Sequence, residues 1–356
     1  MGKLLKKFKL LVIIPGVISI VFVILSIIPT NYDLTVPATL ADIDETYDFK
    51  GINTEEVNVS SVSVYSFYNV SMLNYLQSLI NPYKVLEEHN QYVNTSLEYG
   101  NTSGTIQKNV ALKNSLIAGY LAAEVEINKE FKGYIVHSVF GIEKSPIELG
   151  DIIIKCEGVS LTEDVTVASV LSDKYGTYEK DGINYVNIEI GKEYLFTVVR
   201  GLKEVELKVK AFGYETTDSV SPSLGFNFYE YYLLHKDGTE VEYVINAPDS
   251  FGPSAGLMQA LFIYDALTGE KLTKDLHVVG TGTIDSKGNA GAIGGVKAKI
   301  MAAVLDKADI FFVPEANYVE ALEQYNKYDT NMRLVSVSSL QDVIGYLRDY
   351  RWLVWK

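Results

Sequence analysis

A single cysteine, Cys156, stands among 356 residues. One thiol can form no internal disulfide and supplies no multi-cysteine zinc site. It closes the mostly apolar run 152–156, so it reads as a small core residue rather than a nucleophile. Basic residues are also scarce: 31 Lys and Arg against 45 Asp and Glu give a net charge of -14. So acidic a surface repels phosphate backbones and makes nucleic acid a poor partner. It equally disfavours a polybasic membrane-binding face on the globular part. Only four histidines occur, His89, His137, His235 and His277. None lies in a glycine-framed turn that would mark it as a catalytic base, so a Ser-His-Asp triad is neither supported nor excluded. Two catalytic patterns are missing as well. Ser-x-x-Lys occurs nowhere, and neither does the phosphate-cradling Gly-x-x-x-x-Gly-Lys-[Ser/Thr]. Gly280-Thr281-Gly282-Thr283 is glycine-containing but lacks the following lysine. The expectation is no ATP, no cofactor and no metal.

The longest apolar run is residues 10–28, uncharged and preceded by Lys3, Lys6, Lys7 and Lys9. No further lysine or arginine appears until Lys50. A run of about 20 apolar residues spans a bilayer's hydrocarbon core, and the basic flank sets its orientation. The run is longer than the ~7–15 residues of a signal-peptide core and ends without Ala-x-Ala. The sequence therefore predicts a basic cytoplasmic tail (1–9), a transmembrane helix (10–28) and extracytoplasmic C-terminal domains at the cell membrane.

Beyond it, three regions differ in pattern. Residues 33–128 carry a strand-like alternation over 57–68, helical spacing over 72–86 and 106–123, and an Asn/Ser/Thr/Gly-rich loop over 90–104. With no chemical motif, this region reads as scaffold or spacer. Residues 130–213 turn to short strands. Leu149-Gly150-Asp151-x-Ile153, a glycine turn at Glu157-Gly158, a helix near 165–172 and a strand ending Arg200-Gly201 follow in order. Residues 215–356 alternate strands with helices, which argues an α/β unit. The predicted fold class is multidomain α/β and α+β: an N-terminal transmembrane helix, a β-rich middle domain and a C-terminal α/β domain.

Chemistry concentrates in the last region. Gly252-Pro253-Ser254-Ala255-Gly256 follows a strand and opens a helix. Small neighbours leave the Ser254 hydroxyl accessible, and free N–H groups of a first helical turn suit a developing oxyanion. Local chemistry alone favours a plainer role, since serine is a preferred helix cap. Serine also needs a base. Gly294-Gly295-Val296-Lys297-Ala298-Lys299 starts a second helix. Two residues are about 200° apart on a helix, so only one of these lysines faces inward. Lys299 shares its face with Ala302 and Ala303. A lysine acts as a base only if burial or nearby positive charge lowers its pKa; taken alone, both lysines read as solvated.

Three ordered motifs change that balance. Gly-Pro-Ser-Ala-Gly, then Thr281-Gly282-Thr283-Ile284, then Gly-Gly-x-x-x-Lys-x-x-Ala-Ala resemble the proteolytic domain of Lon proteases over roughly residues 224–347. The resemblance implies Ser254 as nucleophile, Lys299 as general base and Thr281 hydrogen-bonding beside them, with Gly252, Pro253, Ala255, Gly294 and Gly295 shaping the backbone. The sequence departs from the family in carrying Phe251 where an acidic residue usually stands; Asp249 is two residues upstream. The middle region resembles a PDZ domain, which implies capture of an extended peptide on a strand held by Tyr134, Ile135 and Val136. The whole order resembles membrane-anchored bacterial proteins with a PDZ domain before a Lon-type domain. It implies an ATP-independent serine endopeptidase acting on exported peptides or unfolded segments, with assembly into a homo-oligomer as in other Lon-type domains. The alternatives are a non-catalytic membrane-anchored binding scaffold and a self-processing protein.

Overall fold

The computed structural model describes residues 2–50, 54, 57–90, 92, 96–141, 145–180, 182–215, 219–236, 239–240, 243–246 and 251–354. Asp249 lies outside them.

The C-terminal α/β unit draws its sheet from both ends of the chain. Val278–Gly280, Ile310–Pro314 and Arg333–Val337 run parallel in the order expected of βα repeats. On their far side Val278–Gly280 pairs in parallel with Val59–Phe67, which continues antiparallel to Tyr32–Asp42 and then Val85–Glu88. The region read as spacer thus supplies three of six strands in the sheet that carries the chemistry. Its inner face forms one core with Leu257, Phe262, Val278, Phe312 and Leu347, joined by Val59, Leu112 and Leu116 from the N-terminal region.

Residues 97–104, read as loop, belong to the 26-residue helix Leu97–Ala122. Ser96 caps its start by accepting from the Tyr99 N–H, and packing outweighs the cost of its glycines. Gly104 is small because Phe251 lies against it: a Cβ there would fall 2.7 Å from the Phe251 Cβ. Gly119 lets the same helix cross closely over Gly256–Thr268, with an added Cβ only 2.7 Å from Ile263 Cγ2 and 2.9 Å from Ile263 Cβ. Rotation about χ1 cannot relieve a clash with a Cβ, so the helices themselves must part. Gly119→Ala is expected to cost about 1–3 kcal/mol as overpacking, despite alanine's better helix propensity. Urea denaturation checks this, and an unchanged midpoint contradicts the close crossing.

The middle region is an antiparallel sheet whose strands Asn128–Val139, Ile152–Cys156, Glu193–Arg200 and Lys203–Lys210 are neighbours in that spatial order. The helix Val167–Tyr175 packs on it through Val167, Val170 and Leu171. Its two sequence signatures meet: the Arg200 guanidinium donates to both carboxylate oxygens of the buried Asp151, at 2.8 and 2.6 Å. This fork-to-fork geometry pins the turn before Ile152–Cys156 to the end of Glu193–Arg200. The strand Phe226–Lys236 joins this sheet rather than the C-terminal one, lying along Asn128–Val139 from Val139 to Asn128.

The expected transmembrane helix is corrected. A helix does cover Gly2–Ile27, with Pro15 inside it. Among the described residues no helix is long and apolar enough to cross a membrane. The single-pass topology and extracytoplasmic placement expected from that run fall with it.

Candidate active site

Ser254 lies two residues before the helix Gly256–Thr268, and the N-cap is Ala255, without a side-chain cap bond. The Ser254 hydroxyl is therefore not a cap. Gly252 takes φ 90°, a left-handed turn that favours glycine, and its N–H donates to the Gly104 carbonyl at 3.0 Å. Phe251, in place of an acidic residue, is partly exposed and rests on the long helix at Gly104. The Ser254 carbonyl is held by the Gly282 N–H at 2.8 Å and the Thr281 hydroxyl at 3.1 Å.

Lys299 projects from the helix Val296–Leu305, whose N-cap Gly295 has φ 69°. A Cβ on Gly295 would press on Thr35 and Val64 at 3.3–3.4 Å, whereas Gly294 has open space. The entry to this helix is fixed by Asn317, whose amide receives the Ile293 N–H and donates to the Ile293 carbonyl, both at 2.9 Å. Lys297 points outward to Glu320 at 3.4 Å. Lys299 points inward and is 3% exposed. Burial pushes its ammonium pKa down to about 7.

Among the described residues the Lys299 Nζ has three hydrogen-bond neighbours: Ser254 Oγ at 2.7 Å, the Val62 carbonyl at 2.9 Å and Thr281 Oγ1 at 3.1 Å. Their chemistry fixes the protons. A carbonyl only accepts, so Nζ donates to Val62. Thr281 spends its hydroxyl proton on the Ser254 carbonyl, so it too accepts from Nζ. A neutral amine has two protons and one lone pair, and the lone pair is left facing Ser254 Oγ. The amine is thereby oriented to take the serine proton.

Of the residues singled out by sequence, Ser254, Thr281 and Lys299 come together, framed by Gly252, Pro253, Ala255 and Gly295. Among the described residues no histidine joins them: His89 pairs with Asp33 at 2.9 Å, His277 lies 3.6 Å from Asp306, His137 stacks on Tyr229, and His235 lies opposite Asn128 in the other sheet. Tyr134, Ile135 and Val136 do not form a peptide-receiving edge. Their strand is paired on one side by Phe226–Lys236 and, at Tyr134 and Ile135, on the other by Ile152–Cys156. Val62 was missed. It sits one residue beyond Ser61, the last position laddered to Val278–Gly280, which leaves its carbonyl for the lysine. Because a backbone atom does this work, residue type carries no signal.

A cavity of about 460 Å³ opens beside Pro253, walled by the long helix, the strand Phe226–Lys236 and the hairpin segment 283–291.

Residues 245–348 match the Lon protease (S16) C-terminal proteolytic domain. The chain is 34% identical over 127 residues to the Lon protease of Campylobacter jejuni, covering 34% of this chain and 14% of that protein. It is 33% identical over 94 residues to the Lon protease of Aster yellows witches'-broom phytoplasma, covering 26% and 12%. With the Lon protease of Rhizobium meliloti it shares 30% over 114 residues, covering 32% and 14%. Its C-terminal part thus carries a Lon-type proteolytic domain, the class to which the serine and lysine geometry also points. The chain spans 12–14% of the length of these curated relatives, and the matched segment excludes the strand bearing Val62.

Proposed function

We propose that this chain is a serine endopeptidase working through a Ser254–Lys299 dyad without ATP. The observation that carries the reading is a buried lysine with no carboxylate partner among the described residues, its nitrogen 2.7 Å from Ser254 Oγ. Burying such a group is costly unless it neutralises, and a non-catalytic scaffold gains nothing from it. Lys299 takes the proton as Ser254 Oγ attacks a peptide carbonyl. The ammonium then returns that proton to the leaving amine, giving an acyl-enzyme. Lys299 next draws a proton from water as the water oxygen attacks the acyl carbon, and passes it to Ser254 Oγ as the acid is released. The N–H groups of Ser254 and Ala255, unpartnered among the described residues, stand ready for the oxyanion; those of Gly256 and Leu257 are taken by the Pro253 and Gly282 carbonyls.

The PDZ-like sheet contributes a wall of the substrate cleft through Phe226–Lys236, in place of peptide capture at residues 134–136. The substrates are flexible peptides or unfolded segments, because the chain has no motif for ATP-driven unfolding. A fluorophosphonate probe tests the dyad: the parent chain is expected to label on Ser254 and the Ser254→Ala variant not at all. Labelling that survives the substitution contradicts the assignment of the nucleophile.

A further inference from the structure

We infer that the cavity beside Pro253 is a subsite for a lysine or arginine side chain of the substrate, next to the bond cleaved; this rests on the peptidase reading above. Three features make the case. First, Asn114 on the helix Leu97–Ala122 lines the cavity and is 8% exposed. Its Nδ2 donates to the Ile284 carbonyl at 3.1 Å. A carbonyl only accepts, so the amide orientation is set and Oδ1 is the atom left over. That oxygen is buried and has no hydrogen-bond partner among the described residues. An acceptor left so is costly, and a substrate donor relieves that cost once the Asn114 side chain turns its oxygen to the cavity.

Second, Glu230 on the opposite wall holds the Tyr232 hydroxyl at 2.9 Å and the Ser286 hydroxyl at 3.2 Å, both through Oε2. Its Oε1 is unused among the described residues, so the carboxylate is fixed in place with one oxygen to spare. The Asp285 carboxylate, by contrast, is consumed on both oxygens by Lys287 and Asn289. Glu230 and Asp285 against the exposed Lys287 leave the cavity one negative charge in excess. Third, Ile284, Val110 and Phe228 supply apolar wall. A long basic side chain matches all three: methylenes for the apolar wall, and several donors plus a positive charge for two spare acceptors. An aliphatic side chain leaves both oxygens unmatched, and an acidic one is repelled.

The test uses the full chain with paired fluorogenic peptides differing only in lysine versus norleucine on either side of the scissile bond. The parent is expected to prefer lysine in kcat/KM by 10- to 100-fold on one of those sides. Glu230→Gln keeps the shape and can still accept from Tyr232 and Ser286, so it should bring that ratio to near one. Asn114→Leu should lower it several-fold. Fluorophosphonate labelling of Ser254, which does not need the subsite, should proceed at the parental rate in both variants; that separates a lost preference from a damaged site. A parental ratio of one or less overturns the inference, as does a ratio that persists in Glu230→Gln, and either leaves the dyad standing. A parent that neither labels nor cleaves overturns the peptidase reading and the subsite with it.

Discussion

Lys299→Ala is expected to lower kcat/KM for peptide cleavage by about 10³–10⁴-fold, the upper part of the range for loss of a positioned general base, because nothing else in the site takes its place. Among the described residues, Lys299 is the side chain that hydrogen-bonds Ser254 Oγ. The parent's pH profile should carry the same signature. Burial holds the lysine pKa at about 7, and only the neutral amine accepts a proton. Activity should therefore rise about tenfold per pH unit below that value and level off above it. A carboxylate base would move the limb to pH 4–5, and a lysine at its ordinary pKa would move it above 10. Peptide assays from pH 5 to 10 distinguish the three. A limb near 10, or full activity in Lys299→Ala, contradicts the dyad.

The parts of this site that the sequence disclosed are those whose chemistry resides in side chains within short motifs. Ser254 and Lys299 stand inside glycine-framed patterns; the 200° offset between Lys297 and Lys299 required that only one face inward, and the likeness to Lon-type domains chose Lys299. Val62 and Asn114 belong to the opposite case. Both lie in the region read as spacer, more than 130 residues before the nucleophile: Val62 reaches the site because Val59–Phe67 pairs with Val278–Gly280, and Asn114 because the helix Leu97–Ala122 packs against Gly256–Thr268 and Ile284. Parallel pairing over such a separation leaves no local trace: a strand shows its alternation but not its neighbour. The peptide-receiving strand failed for a related reason. Gly133-Tyr134-Ile135-Val136 reads correctly as strand, yet whether its edges are free depends on Phe226–Lys236, whose apolar pattern was assigned to the other sheet. The apolar run at the N-terminus was read from composition alone, and among the described residues no helix is long and apolar enough to cross a membrane. Gly104 and Gly119 were read as loop and helix, respectively, but only packing reveals that Phe251 and Ile263 require both to lack a side chain.

Replacing Lys299 with methionine should abolish activity and yet stabilise the protein near neutral pH. The sign follows from linkage. Folded Lys299 releases its proton at about 7, whereas in the unfolded chain lysine holds it to about 10.4. Between those values the unfolded state binds more protons, so stability rises with pH. Seen from the other end, Lys299 exacts no penalty above about pH 10.4 and its full penalty below about pH 7. At 1.36 kcal/mol per pH unit this amounts to about 4 kcal/mol at neutrality. Methionine fills a similar volume without a proton to lose. It also deprives the Val62 carbonyl and Thr281 Oγ1 of their donor, at about 1–3 kcal/mol if one stays unsatisfied. The difference favours Lys299→Met by about 1–3 kcal/mol at pH 6–7. By pH 10 the lysine penalty has nearly vanished and only the lost hydrogen bonds remain, so the variant should become the less stable of the two. Urea denaturation of both chains at pH 6, 7 and 10 measures the difference, in which the other titrating groups cancel. A variant that is less stable at every pH would mean that Lys299 is buried as an ammonium, with its charge compensated by its neighbours, and an ammonium has no lone pair with which to activate Ser254.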